Sequence, residues 1–257
     1  MSDPPLAPWQ RGLILGVQRF VYWLAKHWLA LANLFMFFYV GLPVAAPVLM
    51  KAGQTGPANA IYAVAKPLCH ELSFRSWFLF GEKPVYPRAE YVERFDLDND
   101  NWPELFLHAR EFVGDETMGY KIAFCQRDMA TYGALLLGGL AFGVLRRRGL
   151  RPMSLWLFVF LGVVPIGLDG GSQFLSLIIP GLPTRESVWQ LRTLTGAMFG
   201  FSIAWLAYPY IHEGMEETRQ LLAARYGWDS HASEPEPGLQ TTRDQVVQLL
   251  KDQDVIE

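Results

Sequence analysis

Cys69, His70, Cys125 and Asp128 are the residues of this chain best suited to hold a metal ion. They offer two thiols, an imidazole and a carboxylate, and tetrahedral zinc accepts S, N and O donors of these kinds. Cys69 and Cys125 are the only cysteines. Three fates stand open to them: a shared divalent metal such as zinc, a disulfide in an oxidising compartment, or two free thiols. A second group of residues suits acid–base work and anion binding. Asp169 is the sole charge in the apolar run Ser154–Leu182, followed one helical turn later by Gln173. A carboxylate inside a membrane-spanning segment costs about 2.5–3.5 kcal/mol on the lenient insertion scale, so it must face protein or water and find a partner. Arg192 and Arg75 are the guanidinium groups that could meet it or hold an anionic group. Asp169, Arg192, Arg75 and Gln173 are therefore the candidate catalytic residues.

The elements that position these residues are apolar helices. Roughly 20 apolar residues cross about 30 Å of hydrocarbon. The uncharged run Trp28–Met50 meets that length, and Pro43 and Pro47 should kink or end it. Arg11–His27 mixes basic, apolar and aromatic residues at helical spacing, as an interfacial segment does. Residues 51–120 form the largest polar interval, with a short helix expected over Asn59–Leu68 and stopped by Pro67. Helix two is expected from about Ile122 to Leu145, ending at Arg146–Arg148. Helix three follows Pro152 and carries Asp169, with a bend or break at Gly170-Gly171. Pro180–Pro183 is a turn, and helix four spans about Leu191–Ile211. A tail helix over Glu213–Tyr226, a linker over Ser230–Gly238 and an amphipathic helix from Thr242 to Lys251 complete the chain. The fold class is all-α: a polytopic membrane bundle of about four spanning helices, with an amphipathic N-terminal segment and a short cytoplasmic tail. Its domains are residues 1–27, the membrane domain 28–211 including the interval 51–120, and the tail 212–257.

Charge sets the orientation. Arg11, Arg19 and Lys26 precede helix one, and Arg146–Arg148 with Arg151 lie between helices two and three. The positive-inside rule puts both groups, and both termini, on the cytoplasmic side of a cell membrane. Residues 51–120 are then extracytoplasmic. At about 1.5 Å per residue, Asp128 and Asp169 each sit roughly 25–27 Å from their cytoplasmic helix ends, and Arg192 sits about 30 Å from His212. Cys69, His70, Cys125, Arg127, Asp128, Asp169, Gln173 and Arg192 can therefore converge near the outer margin. Asp169 is expected to contact Arg192, directly or through Gln173 or water, beside Arg127 or Asp128. Gly138, Gly139, Gly196 and Gly200 suit close helix packing.

The same residues carry a family likeness. Cys69-His70, Arg75-Ser76, Cys125-Gln126-Arg127, Asp169-Gly170-Gly171-Ser172-Gln173, and Arg192 with Thr195, Gly196 and Gly200 occur in this order over about Trp28–Ile211. In this the chain resembles an uncharacterised family of bacterial and archaeal polytopic membrane proteins, domain of unknown function 2085. The family usually reads Cys-x-Arg-Cys, whereas here Asp128 replaces the second cysteine, keeping a metal ligand and removing a redox thiol. The resemblance implies a fold and a site rather than a reaction.

The net charge of -3 carries no basic footprint for nucleic acid. No Gly-rich nucleotide loop, His-Glu-x-x-His helix or haem-attachment motif is present. The partners implied are the lipid bilayer, with other membrane subunits or self-association. Two readings stand. One is a membrane-embedded enzyme acting on a lipid headgroup, quinone or small solute at a metal-assisted or acid–base site. The other is a non-catalytic accessory subunit or small-solute carrier whose polar cluster is structural.

Overall fold

The computed structural model describes residues 7–179 and 185–228. Among the described residues, four helical stretches are long and apolar enough to cross a membrane: Pro8–Lys51, Gln126–Arg148, Leu155–Ser176 and Trp189–Tyr226. Their surfaces suit lipid, since Phe35, Leu137, Phe160 and Phe174 are each more than 60% exposed. A soluble protein would bury such side chains at roughly 1.5–3 kcal/mol apiece.

Helix α1 (Pro8–Lys51) has 44 residues and runs without interruption from the expected interfacial segment through the spanning run. It also continues past Pro43 and Pro47, where an end was expected. Each proline removes one hydrogen bond to the carbonyl four residues back, and the helix continues around them. Helix α2 (Thr55–Ala65) follows and stops just before Pro67, close to expectation.

Next comes a compact insert that contains a sheet. Strands β1 (Ser76–Leu79), β2 (Gly114–Asp115) and β3 (Gly119–Cys125) form a three-stranded antiparallel sheet in the order β1-β3-β2. The register pairs Ser76 with Cys125, Phe78 with Lys121 and Gly114 with Tyr120. Helices α3 (Arg88–Arg94) and α4 (Trp102–Glu111) close over it. A core of Leu72, Phe74, Phe78, Tyr86, Tyr91 and Leu105 lies between them. Asn101 caps α4 by accepting from Glu104 N. The β2–β3 turn is set by Asp115 Oδ1, which accepts from Thr117 N at 2.8 Å and Met118 N at 2.6 Å. Gly119 adopts φ +77, where a side chain would also overlap the carbonyl of Leu79. The sheet corrects the expected start of helix two. Ile122–Cys125 is strand, because pairing with Ser76–Leu79 satisfies its backbone. A short apolar run does not by itself distinguish strand from helix.

Helix α5 (Gln126–Leu145) therefore begins immediately after the last residue of β3. Helix α6 (Leu155–Phe158) passes through one π-helical turn, Val159–Val163, into α7 (Val164–Ile178). There Val164 N donates to Val159 O. Pro165, which lacks a donor, directly follows this shift in register. No break occurs at Gly170-Gly171, which lie inside α7. Helix α8 (Trp189–Tyr226) joins the expected fourth spanning helix and the tail helix into one element of 38 residues. The expected turn at 180–183, the linker at 230–238 and the helix at 242–251 lie outside the described residues.

The described chain divides into two compact units, residues 7–31 with 210–228, and Ala32–Pro209. In the first, Trp228 packs edge-on to Tyr22 with ring centroids 5.5 Å apart, and the Arg19 guanidinium lies 5.9 Å from the Trp228 ring. Every candidate site residue belongs to the second.

Candidate functional site

The strand-to-helix junction at Cys125–Asp128 organises the site. Cys125 ends β3 and Asp128 lies in the first turn of α5, so both project near Cys69, which follows α2. One ligand atom from each of Cys69, Cys125 and Asp128 lies within 4.8 Å of the others. Cys125 N donates to Cys69 Sγ at 3.3 Å. Cys69 is buried and Cys125 is half-buried, and both are free thiols. The neighbouring Cys125, burial and nearby Asp128 all push the Cys69 thiol upward, because ionising it would crowd negative groups in a poorly hydrated place. His70 does not join this group. It is exposed, with its ring centroid 6.4 Å from that of Phe106.

Two carboxylates anchor the second part. Asp169 is 3% exposed, so it faces protein. Its Oδ2 accepts from Arg127 Nη2 at 2.5 Å, and its Oδ1 accepts from Ser187 Oγ at 2.6 Å. Arg185 adds a contact from Nη2 at 3.4 Å and donates through Nη1 to the Asp169 carbonyl at 3.0 Å. Glu186 gathers the rest. Arg75 grips it with two parallel bonds of 2.8 Å, and Gln173 Nε2 donates at 2.6 Å. Arg192 Nη2 also donates to Glu186, while its Nη1 donates to Gln126 Oε1 at 3.2 Å. Four guanidinium groups thus meet two carboxylates, leaving positive charge in excess.

The expected Asp169–Arg192 contact is replaced by two separate pairings. Arg127 takes Asp169, and Glu186 takes Arg192 together with Gln173. Helix spacing placed these side chains at one level, but a residue of the connection, Glu186, decides which cation meets which acid. Glu186, Arg185 and Ser187 were missed by sequence reasoning, and Gln126 was read only as part of the Cys125-Gln126-Arg127 motif. The available signal was an acid–base pair, Arg185-Glu186, lying close to the intramembrane Asp169 and just before Arg192.

The glycines explain how α5, α7 and α8 approach. A Cβ at Gly170 would stand 3.1 Å from Arg127 Nη1, and one at Gly196 would stand 2.5 Å from Arg127 O. Gly170 therefore makes room for the guanidinium that pairs with its neighbour Asp169. Gly196 lets α8 pass close to the backbone of α5, and Gly200 does the same one turn on at Thr131.

A third polar group is buried in the insert. Lys121 is fully buried in β3, and its ammonium donates to the carbonyls of Glu71, Ala109 and Arg110 at 2.7, 3.3 and 2.8 Å. Burial lowers its pKa to about 8, against the attraction of Glu71. Glu71 is buried with φ +51, and its carboxylate oxygens have no hydrogen-bond partner among the described residues. Burial raises its carboxyl to about 7, with Lys121 opposing.

The chain has a distant relative among known proteins. An uncharacterized protein of Methanocaldococcus jannaschii is 22% identical over 194 residues, covering 73% of this chain and 94% of that protein. No solved structure matches. The family described as "Predicted membrane protein (DUF2085)" matches residues 116–206. That segment carries β3, α5, α7 and the first half of α8 and excludes Cys69, His70 and Arg75. Over this segment the chain is similar to the DUF2085 family of membrane proteins, as the resemblance of its motifs implied.

Proposed function

We propose that this protein is an integral membrane metalloprotein whose divalent metal site lies near the extracytoplasmic face of the cell membrane. The observation that carries the reading is the donor set Cys69, Cys125 and Asp128, with ligand atoms within 4.8 Å of one another. Zinc at about 2.3 Å from sulfur and 2.0–2.2 Å from oxygen places its ligands roughly 3.5–3.8 Å apart. Small side-chain rotations would close the observed group to that size. Three protein ligands leave a fourth position, the pattern of catalytic rather than structural zinc, where a bound ion would lower the pKa of water or polarise an oxygen. Beside it, Arg127 and Asp169 supply a guanidinium and a carboxylate that are fixed before any ligand arrives. The reaction class this supports is metal-assisted attack on a lipid headgroup, quinone or small solute.

A second reading has its own observation. Both oxygens of Asp169 and both of Glu186 are already hydrogen-bonded. A charge network so fully satisfied would serve equally to lock α5, α7 and α8 in a non-catalytic accessory subunit or carrier.

Elemental analysis of protein purified in detergent tests the metal. We expect about one divalent ion per chain, lost in Cys69→Ser and Cys125→Ser and retained in His70→Ala. Metal-free protein whose cysteines resist alkylation until reduced would replace the metal with a disulfide.

A further inference from the structure

A cavity of about 250 Å³ opens between α1, α2 and the end of β3. Leu42, Pro43, Ile61, Val64, Leu68 and Phe124 line it, with Tyr39 at one wall. Val64 is 68% exposed and Leu68 55%, so the groove opens outward along an apolar lip. Its depth follows from Tyr39, whose ring packs 4.7 Å from that of Tyr132 and 5.3 Å from that of Phe124. Tyr132 lies in the second turn of the membrane-spanning α5, about 9 Å along its axis. At that level an outward-opening apolar groove meets hydrocarbon. Ligand pockets for whole drug-sized molecules run from about 300 Å³ upward, so this one suits a single chain rather than a headgroup.

The groove also leads to the site. Leu68 directly precedes Cys69, and Phe124 directly precedes Cys125. Arg127 follows within about 10 Å of chain. The charge there complements an anion. Guanidiniums outnumber carboxylates, the Arg185 side chain is 41% exposed, and the buried Nε of Arg127 and of Arg192 has no hydrogen-bond partner among the described residues.

We infer that the groove and the neighbouring site together bind one anionic membrane phospholipid, its acyl chain along α2 and its phosphate beside Asp128, Arg127 and Arg185. The seat of the chain stands on the groove alone, while the seat of the phosphate rests on the metal-site reading above.

Photocrosslinking tests it, using phosphatidylglycerol with a diazirine in its acyl chain, in nanodiscs of phosphatidylcholine. Crosslinks should concentrate on residues 39–43 and 60–68. Ala60→Trp and Val64→Trp, both at exposed positions, should each reduce them about tenfold, the equivalent of roughly two buried methylenes. Arg185→Gln should erase the preference over a phosphatidylcholine probe of the same chain. Excess glycerol 3-phosphate should not compete, because it lacks the chain. Labelling spread evenly over all lipid-facing helices, or unchanged in both tryptophan variants, would overturn the inference. So would competition by glycerol 3-phosphate. Metal content measured on the same samples keeps the two readings apart: groove-specific labelling of metal-free protein would uphold the seat of the acyl chain and overturn the metal together with the seat of the phosphate beside it.

Discussion

Asp169 illustrates how a single charge is retained at membrane depth. Its carboxylate is held by Arg127, Arg185 and Ser187, and its side chain is 2% exposed. Removing one partner of a buried pair leaves the other uncompensated, at about 3–5 kcal/mol. Asp169→Asn should therefore lower unfolding stability in detergent by roughly that amount. Glu186→Gln should cost less, since the Glu186 side chain is 19% exposed. An Asp169→Asn protein as stable as the parent would instead mark the carboxylate as kept for chemistry. The insert gives a pH signature. Between pH 8 and 10.5 the unfolded chain holds a proton on Lys121 that the folded chain lacks, so stability rises with pH. Burial pushes the phenols of Tyr62 and Tyr91 above their ordinary 10. Above pH 10 the unfolded chain ionises these first, so stability falls. The Cys69 thiol, pushed up in the folded chain from its ordinary value near 9, keeps a proton that the unfolded chain loses and offsets the Lys121 rise from there on. Stability measured from about pH 7 to 11 should therefore rise to about pH 9, level off and fall above pH 10, and Lys121→Met should remove the rise.

At the scale of elements, the junction of β3 with α5 does most to assemble the site. One strand end and one helical turn carry Cys125 and Asp128 toward Cys69, Gln126 toward the Ser76 carbonyl and Arg127 toward Asp169. The α5–α8 contact holds that turn in place. A Cβ at Gly200 would overlap the backbone of Thr131, so Gly200→Ala should destabilise by about 1–3 kcal/mol. At Gly214, in the same helix, an added Cβ would meet nothing within 4 Å. Gly214→Ala should gain about 0.5–1 kcal/mol from helix propensity alone. Thermal unfolding of the two variants side by side checks both signs, and a loss in Gly214→Ala would show that this part of α8 packs more tightly than its surroundings indicate.

For the molecule as a whole, the basic residues beside α1 and after α5 lead us to expect both termini in the cytoplasm. Single cysteines introduced at Ser230 and at Glu90, in a background of Cys69→Ser and Cys125→Ser, should react with a membrane-impermeant maleimide in opposite ways. Glu90 should label in intact cells and Ser230 only after lysis. The reverse pattern would move the polar site to the cytoplasmic face.

Length and charge distribution alone determined the four spanning helices, because about 30 Å of hydrocarbon demands long uncharged runs whatever the packing. The shared face of Asp169 and Gln173 was also legible, since a period near four is a local property of one helix, whereas Cys125 meets Cys69 and Asp128 from the end of a strand rather than from the helical turn expected of it. Tertiary structure decided the rest. Ile122–Cys125 became strand because Ser76–Leu79, far away in sequence, satisfies its backbone. Gly170 became room for Arg127, and the Gly170-Gly171 pair stayed helical rather than breaking α7. His70 turned away to Phe106, and Glu186 came between Asp169 and Arg192. Each of these outcomes depends on which distant group comes within hydrogen-bond or van der Waals reach, and local spacing carries no information about that.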